Sequence, residues 1–145
     1  MSDFEANYAR HGNLRAKANE INKAVLFDAL ASTSITSIHV EFDGEGDSGQ
    51  INGVAAFCGD ESANLPNTTI AIQTVSWGTT EILTGQSTLE KAIENLCYDY
   101  LEQTHGGWEN NDGGYGEFRI DLAKRSIELE FNGRFTDTWT DVHTF

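Results

Sequence analysis

The sequence predicts an α+β protein with two layers, in which two helices cover one face of a mainly antiparallel sheet of five or six strands. Three observations predict this class: an amphipathic helical period near the N-terminus, alternating apolar and polar segments joined by short turns, and a second amphipathic helix followed by a hairpin. The predicted order is α-β-β-β-α-β-β. A length of 145 residues suits one domain spanning residues 1–145.

The N-terminal half supplies one helix and three strands. Apolar residues recur every three or four positions over residues 14–30, whereas residues 1–12 have no clear period and are expected to fray. Strict alternation predicts a half-buried strand at 38–43. The nearly continuous apolar run at 51–58 predicts a central strand, and 69–77 a third strand.

The second helix has the clearest signals. Ser87 and Glu90 have the spacing of a capping box, and His105 lies in the expected last turn. The alternating tail at 135–145 is a candidate edge strand. The apolar face of this helix is predicted to consist of Leu89, Ala92, Ile93, Leu96, Cys97, Tyr100 and Leu101.

A hairpin is predicted to close the domain. If residues 123–126 form its loop, Arg119 opposes Glu130 and Asp121 opposes Glu128. The second of these is a like-charge pair, which costs a few tenths of a kcal/mol or more. A cation or a basic partner would relieve that cost.

The charge excludes several classes of function. The net charge is −14, and residues 31–145 carry all of it, because the first 30 residues balance. A phosphate backbone prefers Lys and Arg, so direct binding to nucleic acid is disfavoured. No apolar run is long enough to span a membrane, and the N-terminus lacks a signal-peptide layout, so a cytoplasmic location is expected. A basic protein partner, a cation or simple solubility remain as explanations.

The leading prediction is a non-enzymatic, acidic interaction protein with no cofactor, whose sheet presents an anionic face to a protein with a basic surface. Carboxylates two apart on a strand lie ~6.8 Å apart and neighbouring strands ~4.8 Å apart. Duplex DNA carries one charge per ~1.7 Å of axis, so the face would imitate DNA only in part. The carboxylates proposed for this face are Glu117, Asp121, Glu128 and Glu130, joined by Glu41 and Asp43 if their strand is a neighbour.

The segment 104–118 combines glycines, asparagines and aromatic residues. One interpretation is a tight connection from helix to hairpin, because Gly and Asn permit turns. The other is a recognition loop, because Trp and Tyr anchor interfaces. The residues named for recognition are Trp108, Glu109, Asn111, Asp112 and Tyr115. A small hydrolase with a site near Trp108 is a second alternative, and it would need a cleft there.

A divalent-cation-binding module is the first alternative function. Asp43, Glu45 and Asp47 have the one-three-five spacing of a calcium loop, but Val54 stands where the bidentate glutamate belongs. The glycines of this segment match G-x-G-x-x-G, yet a strand follows, which disfavours a dinucleotide site. Two further sets suit a transition metal: His39 with Glu41 and Asp43, and Asp141 with His143.

The two cysteines, Cys58 and Cys97, lack metal-site spacing and are expected to be reduced core residues. Neither has a local setting that would lower a thiol pKa.

The segments 23–30, 42–51 and 104–118 resemble an uncharacterised proteobacterial family, a domain of unknown function often encoded on plasmids and integrative elements. The resemblance covers nearly the whole chain and carries no catalytic assignment. It implies a context in which small acidic proteins often counter host defences, as anti-CRISPR proteins do. An anti-defence inhibitor that occupies a nucleic-acid-binding surface is therefore the expected kind of interaction protein.

Overall fold

The computed structural model describes residues 3–45, 48–75, 82–105, 113–134 and 138–145. Neither helix in these ranges combines the length and apolar character needed to cross a bilayer. The elements in chain order are α1 (Asp3–Leu30), β1 (Ser37–Glu45), β2 (Ser48–Cys58), β3 (Glu61–Ala63), β4 (Thr69–Val75), β5 (Ile82–Thr88), α2 (Leu89–His105), β6 (Gly114–Asp121), β7 (Ser126–Arg134) and β8 (Thr138–Thr144).

Six strands form the main sheet in the order β3-β2-β1-β6-β7-β8, and every neighbouring pair is antiparallel. The predicted α+β class with a mainly antiparallel sheet and two helices is confirmed. Alternation along β1, β6 and β7 sends their apolar side chains to one face, where they form a single core with residues of both helices. The predicted edge strand in the tail is β8.

Helix α2 has the predicted apolar face, and all seven predicted residues are buried. Its predicted capping box is wrong by one position. Strand β5 continues to Thr88, and the Thr88 hydroxyl accepts a hydrogen bond from the backbone N–H of Lys91 (3.2 Å). Ser87 instead pairs with Ile70 in the β4–β5 ladder, so it does not cap the helix.

Strand β4 does not join the main sheet, contrary to prediction. It pairs only with β5, whose strand the sequence pattern did not indicate, and this hairpin packs against the helices. The Asn22 side chain takes the place of a neighbouring strand: its amide donates to the Gln73 carbonyl (2.9 Å) and accepts from the Gln73 N–H (2.7 Å). These two bonds satisfy backbone groups that a free strand edge would leave unpaired.

Strand β2 lies between β3 and β1, which confirms the internal position that its apolar run predicted. Its outer neighbour β3 has only three residues, which pair with Ala56–Cys58, the C-terminal end of β2. The glycine-rich turn predicted at 44–49 is shorter in the structure. The β1–β2 ladder continues to the pair Glu45 and Ser48, which leaves only residues 46 and 47 between the strands. Asp43 and Glu45 are therefore strand residues.

The register predicted for the last hairpin is wrong. The loop comprises residues 122–125, one position earlier than predicted, so Arg119 opposes Glu128 and Asp121 opposes Ser126. The predicted repulsion between Asp121 and Glu128 is therefore not formed. The Asp121 carboxylate accepts a hydrogen bond from the Lys124 N–H (3.1 Å) within the loop, which helps to fix the turn.

Both cysteines are free, but only Cys97 is in the core, so the expectation of a buried Cys58 is wrong. Burial raises the pKa of the Cys97 thiol, and the charge of Glu94 raises it further. Because the thiolate is the reactive form, we expect a thiol reagent to label Cys58 in the native protein and Cys97 only after unfolding. Counting thiols with Ellman's reagent, with and without denaturant, tests this. The Cys58→Ser variant keeps only Cys97. If this folded variant were labelled as fast as the wild type, the expectation that Cys97 is protected would be contradicted.

Candidate functional site

The candidate site is the face of the main sheet opposite the helices. In the ranges 37–43, 115–121 and 126–132, the residues that alternate with the core residues have partly or fully exposed side chains. This surface is called the anionic face below. It contains the six predicted carboxylates, because β1 and β6 are neighbours: Glu41, Asp43, Glu117, Asp121, Glu128 and Glu130.

Three glutamates form a row across neighbouring strands. Glu41 is the direct partner of Glu117, and Glu117 is the direct partner of Glu130. Strand spacing places their backbones about 5 Å apart. Like charges directly opposite one another destabilise a sheet, so the row must be held by a cation or by the rest of the fold.

Arg119 is the cation that binds two members of the row, Glu117 and Glu130. Its guanidinium donates to Glu117 (2.7 Å), Glu128 (2.7 Å) and Glu130 (2.9 Å). The pKa of Arg119 is raised, mainly by the hydrogen bond to Glu130. Partial burial acts in the opposite direction, and the hydrogen bond to Glu128 raises the pKa further. The guanidinium therefore stays charged, and it neutralises one of the three carboxylates it binds.

The anionic face carries a strong surplus of negative charge. Its described side chains include six carboxylates and one guanidinium. In the described part of the chain, no Lys or Arg lies within 4 Å of Glu41, which is exposed. A positively charged surface could therefore gain attraction here without first breaking an ion pair.

The recognition residues predicted from segment 104–118 are placed only in part. Tyr115 lies on the anionic face, between Asp43 on β1 and Asn132 on β7. Trp108, Glu109, Asn111 and Asp112 lie outside the described residues. Their role in recognition stays a prediction.

The calcium-type site predicted from Asp43, Glu45 and Asp47 requires a loop, but the structure places two of these residues in a strand. Asp43 and Glu45 lie in a paired strand, and Asp47 lies outside the described residues. A calcium loop wraps its ligands around the ion, whereas the extended backbone of a paired strand points successive side chains to opposite faces. The alternative set on the same strand places His39 Nδ1 3.8 Å from Glu117, a single imidazole among carboxylates.

A histidine cluster lies on the opposite face of the sheet, at the end of α2. His105 Nε2 is 3.0 Å from His143 Nε2 and 3.8 Å from a carboxylate oxygen of Asp141. Burial lowers the pKa of His105, the neighbouring His143 lowers it further, and Asp141 opposes both. The sequence predicts Asp141 and His143 as a pair of ligands, but it gives no reason to add His105, which lies 36 residues before Asp141.

A cavity of about 370 Å³ lies between α1, α2 and β4. It is lined mainly by polar side chains, and Arg15 and Asp99 form an ion pair (2.6 Å) at its wall. Trp108 and the residues predicted around it for a hydrolase site lie outside the described residues, so that alternative stays a prediction.

These features define a class: an α+β protein whose main sheet has an acidic face that the described residues leave open to solvent. Residues 18–145 match the model of a family described as a family of unknown function, DUF6878, and the chain belongs to that family. No curated protein and no solved structure matches the chain.

Proposed function

We propose that this protein is a non-enzymatic binding protein whose anionic face docks on a basic, nucleic-acid-binding surface of another protein. The observation that carries the proposal is the in-register row of Glu41, Glu117 and Glu130 on an uncovered sheet face. Like charges placed directly opposite one another cost stability. A partner that supplies Lys and Arg would recover that cost on binding.

The layout of the face supports a partner that normally holds phosphates. Carboxylates in two directions, along and across the strands, present a two-dimensional array of negative charge. The array is limited to three strands whose backbones lie about 5 Å apart, so it supports only partial imitation of a DNA backbone. A protein carried on a mobile element, as the resemblance implies, would use such binding in the cytoplasm to block a host defence protein.

The proposal is tested by measuring how the affinity for a basic peptide depends on salt and on which glutamates are neutralised. The probe is a fluorescent Lys/Arg-rich peptide from a nucleic-acid-binding surface, titrated at low and high salt. We expect Glu41→Gln/Glu130→Gln, which neutralises both ends of the row, to weaken binding by about tenfold at low salt, equivalent to ~1.4 kcal/mol. High salt should weaken binding by the wild type steeply, because exposed charges are screened.

The matched control is Glu61→Gln/Glu102→Gln, which removes the same number of charges from exposed positions on β3 and α2. We expect this variant to change the affinity by less than a factor of two. Equal losses in the two variants would mean that net charge alone attracts the peptide, and the proposal would fail. An affinity that does not depend on salt would also contradict it.

A further inference from the structure

The histidine cluster is independent of the anionic face, because it lies on the other side of the sheet. We propose that His105, Asp141 and His143 bind a divalent transition metal, with Zn²⁺ as the best fit.

The distances match a tetrahedral centre. Zn–N and Zn–O bonds of about 2.0–2.2 Å place neighbouring ligand atoms roughly 3.3–3.5 Å apart. The observed separations from His105 Nε2 are 3.0 Å to His143 and 3.8 Å to Asp141, which lie on either side of that value. All three ligand atoms lie within 4.8 Å of one another. Asp141 is about half exposed, so its carboxylate can rotate to close the remaining distance.

The donor set selects the class of metal. Two imidazole nitrogens and one carboxylate oxygen suit zinc and similar transition metals, whereas Ca²⁺ and Mg²⁺ prefer sites made of oxygen alone. Three protein ligands also leave a fourth position for water or another ligand. The partly exposed Asp141 and His143 lie where that position can meet solvent.

The fold orients the first ligand before any metal arrives. The His105 side chain is only 12% exposed, and its ring stacks on Phe131 at a centroid distance of 3.9 Å and an interplanar angle of 6°. The other two ligands lie two residues apart on β8, so both point to the same face as His105. A bound metal would therefore link the end of α2 to the edge strand of the sheet.

The competing explanation is a hydrogen bond between two neutral imidazoles, which the 3.0 Å separation also fits. The full chain, first treated with EDTA and then dialysed, is titrated with Zn²⁺ against a chromophoric chelator. We expect one tight site per chain, with a Kd of micromolar or below. Co²⁺ in the same site should give the visible absorption of a four-coordinate centre.

Variants assign the site. We expect His143→Ala to weaken Zn²⁺ binding at least 30-fold, because it removes an imidazole ligand. Asp141→Asn should weaken binding about tenfold, because it replaces an anionic oxygen ligand by a neutral one. His39→Ala is the matched control: it removes an imidazole that is also 3.8 Å from a carboxylate, but on the anionic face, and should leave the affinity within a factor of two. Far-UV circular dichroism checks folding, and Asp141→Asn keeps the test valid if His143→Ala does not fold.

Three results would overturn the assignment: no stoichiometric Zn²⁺ binding tighter than the exposed carboxylates provide, equal losses in His39→Ala and His143→Ala, or equal competition by Ca²⁺. The proposed docking function would be unaffected, because its test uses a peptide and carboxylates on the opposite face.

Discussion

Replacing Gly116 by Ala is expected to destabilise the protein by about 3 kcal/mol or more, because an added methyl group has no space there. Gly116 lies on β6 between Phe42 and Phe131 on the neighbouring strands. A Cβ at this position would collide with the backbone carbonyl of Glu130 and touch the ring of Phe42. The neighbouring strand would have to move, since a backbone atom cannot turn aside as a side chain can.

The damage should reach both candidate sites. Glu130 belongs to the glutamate row, and Phe131 stacks on His105 of the proposed metal site. Thermal unfolding should show a decrease in Tm of roughly 10 °C for a chain of this size. The same variant should lose affinity for both the basic peptide and Zn²⁺.

Gly85→Ala is the matched control. Gly85 is also a strand glycine, but a Cβ there would meet no atom within 4 Å. Alanine restricts the unfolded chain more than glycine does. We therefore expect the free energy of unfolding to increase by between zero and about 1 kcal/mol. If Gly116→Ala unfolds at the same temperature as Gly85→Ala, the close packing of β6 on β7 is not as described.

The sequence predicted those parts of the fold that depend on local periodicity. The face of α2 from Leu89 to Leu101 follows directly from a 3.6-residue period, and burial agrees with it at every predicted position. The alternating residues of β1, β6 and β7 likewise separate the core from the anionic face. Periodicity fixes which side chains of one hairpin share a face, so the four carboxylates of β6 and β7 could be placed on one surface from the sequence. The addition of Glu41 and Asp43 depended on the order of the strands, because β1 had to be a neighbour of β6.

The predictions of the hairpin register and of the position of β4 were wrong, because contacts between residues far apart in the sequence determine both. Arg125 adopts a left-handed backbone (φ 50°), which is uncommon for a residue other than glycine, and it forms an ion pair with Asp28 on α1 (2.8 Å). That conformation ends the loop one residue before the predicted position, and the register changes with it. The placement of β4 depends in the same way on Asn22, 51 residues from its partner Gln73.

The two candidate sites also combine features that follow from local periodicity with features that depend on distant contacts. The glutamate row could be anticipated as a set of residues but not as a row, because rows depend on register. The histidine cluster could not be predicted from the sequence, because it forms only where the end of α2 meets β8. Local sequence around His105 gives no indication of that contact.

Replacing Arg119 by Met is expected to move stability and binding in opposite directions. Arg119 bonds to three carboxylates, and exposed ion pairs contribute roughly 0.2–1 kcal/mol each. Their loss, together with unrelieved repulsion between Glu117 and Glu130, should cost about 1–3 kcal/mol at low salt. High salt should reduce the difference, since it screens the repulsion. Urea unfolding at low and high salt measures both effects.

The same substitution removes the one described guanidinium from the anionic face. The surplus of negative charge increases, so the affinity for the Lys/Arg-rich peptide should rise even though the protein is less stable. Adding Glu117→Gln to Arg119→Met should restore part of the stability, because it removes the central charge of the row, and should return the affinity toward that of the wild type. A cycle of the single and double variants isolates this coupling. A fall in affinity in Arg119→Met, with the fold intact, would mean that the peptide does not bind to this face, because no other change in the variant weakens attraction for a cation.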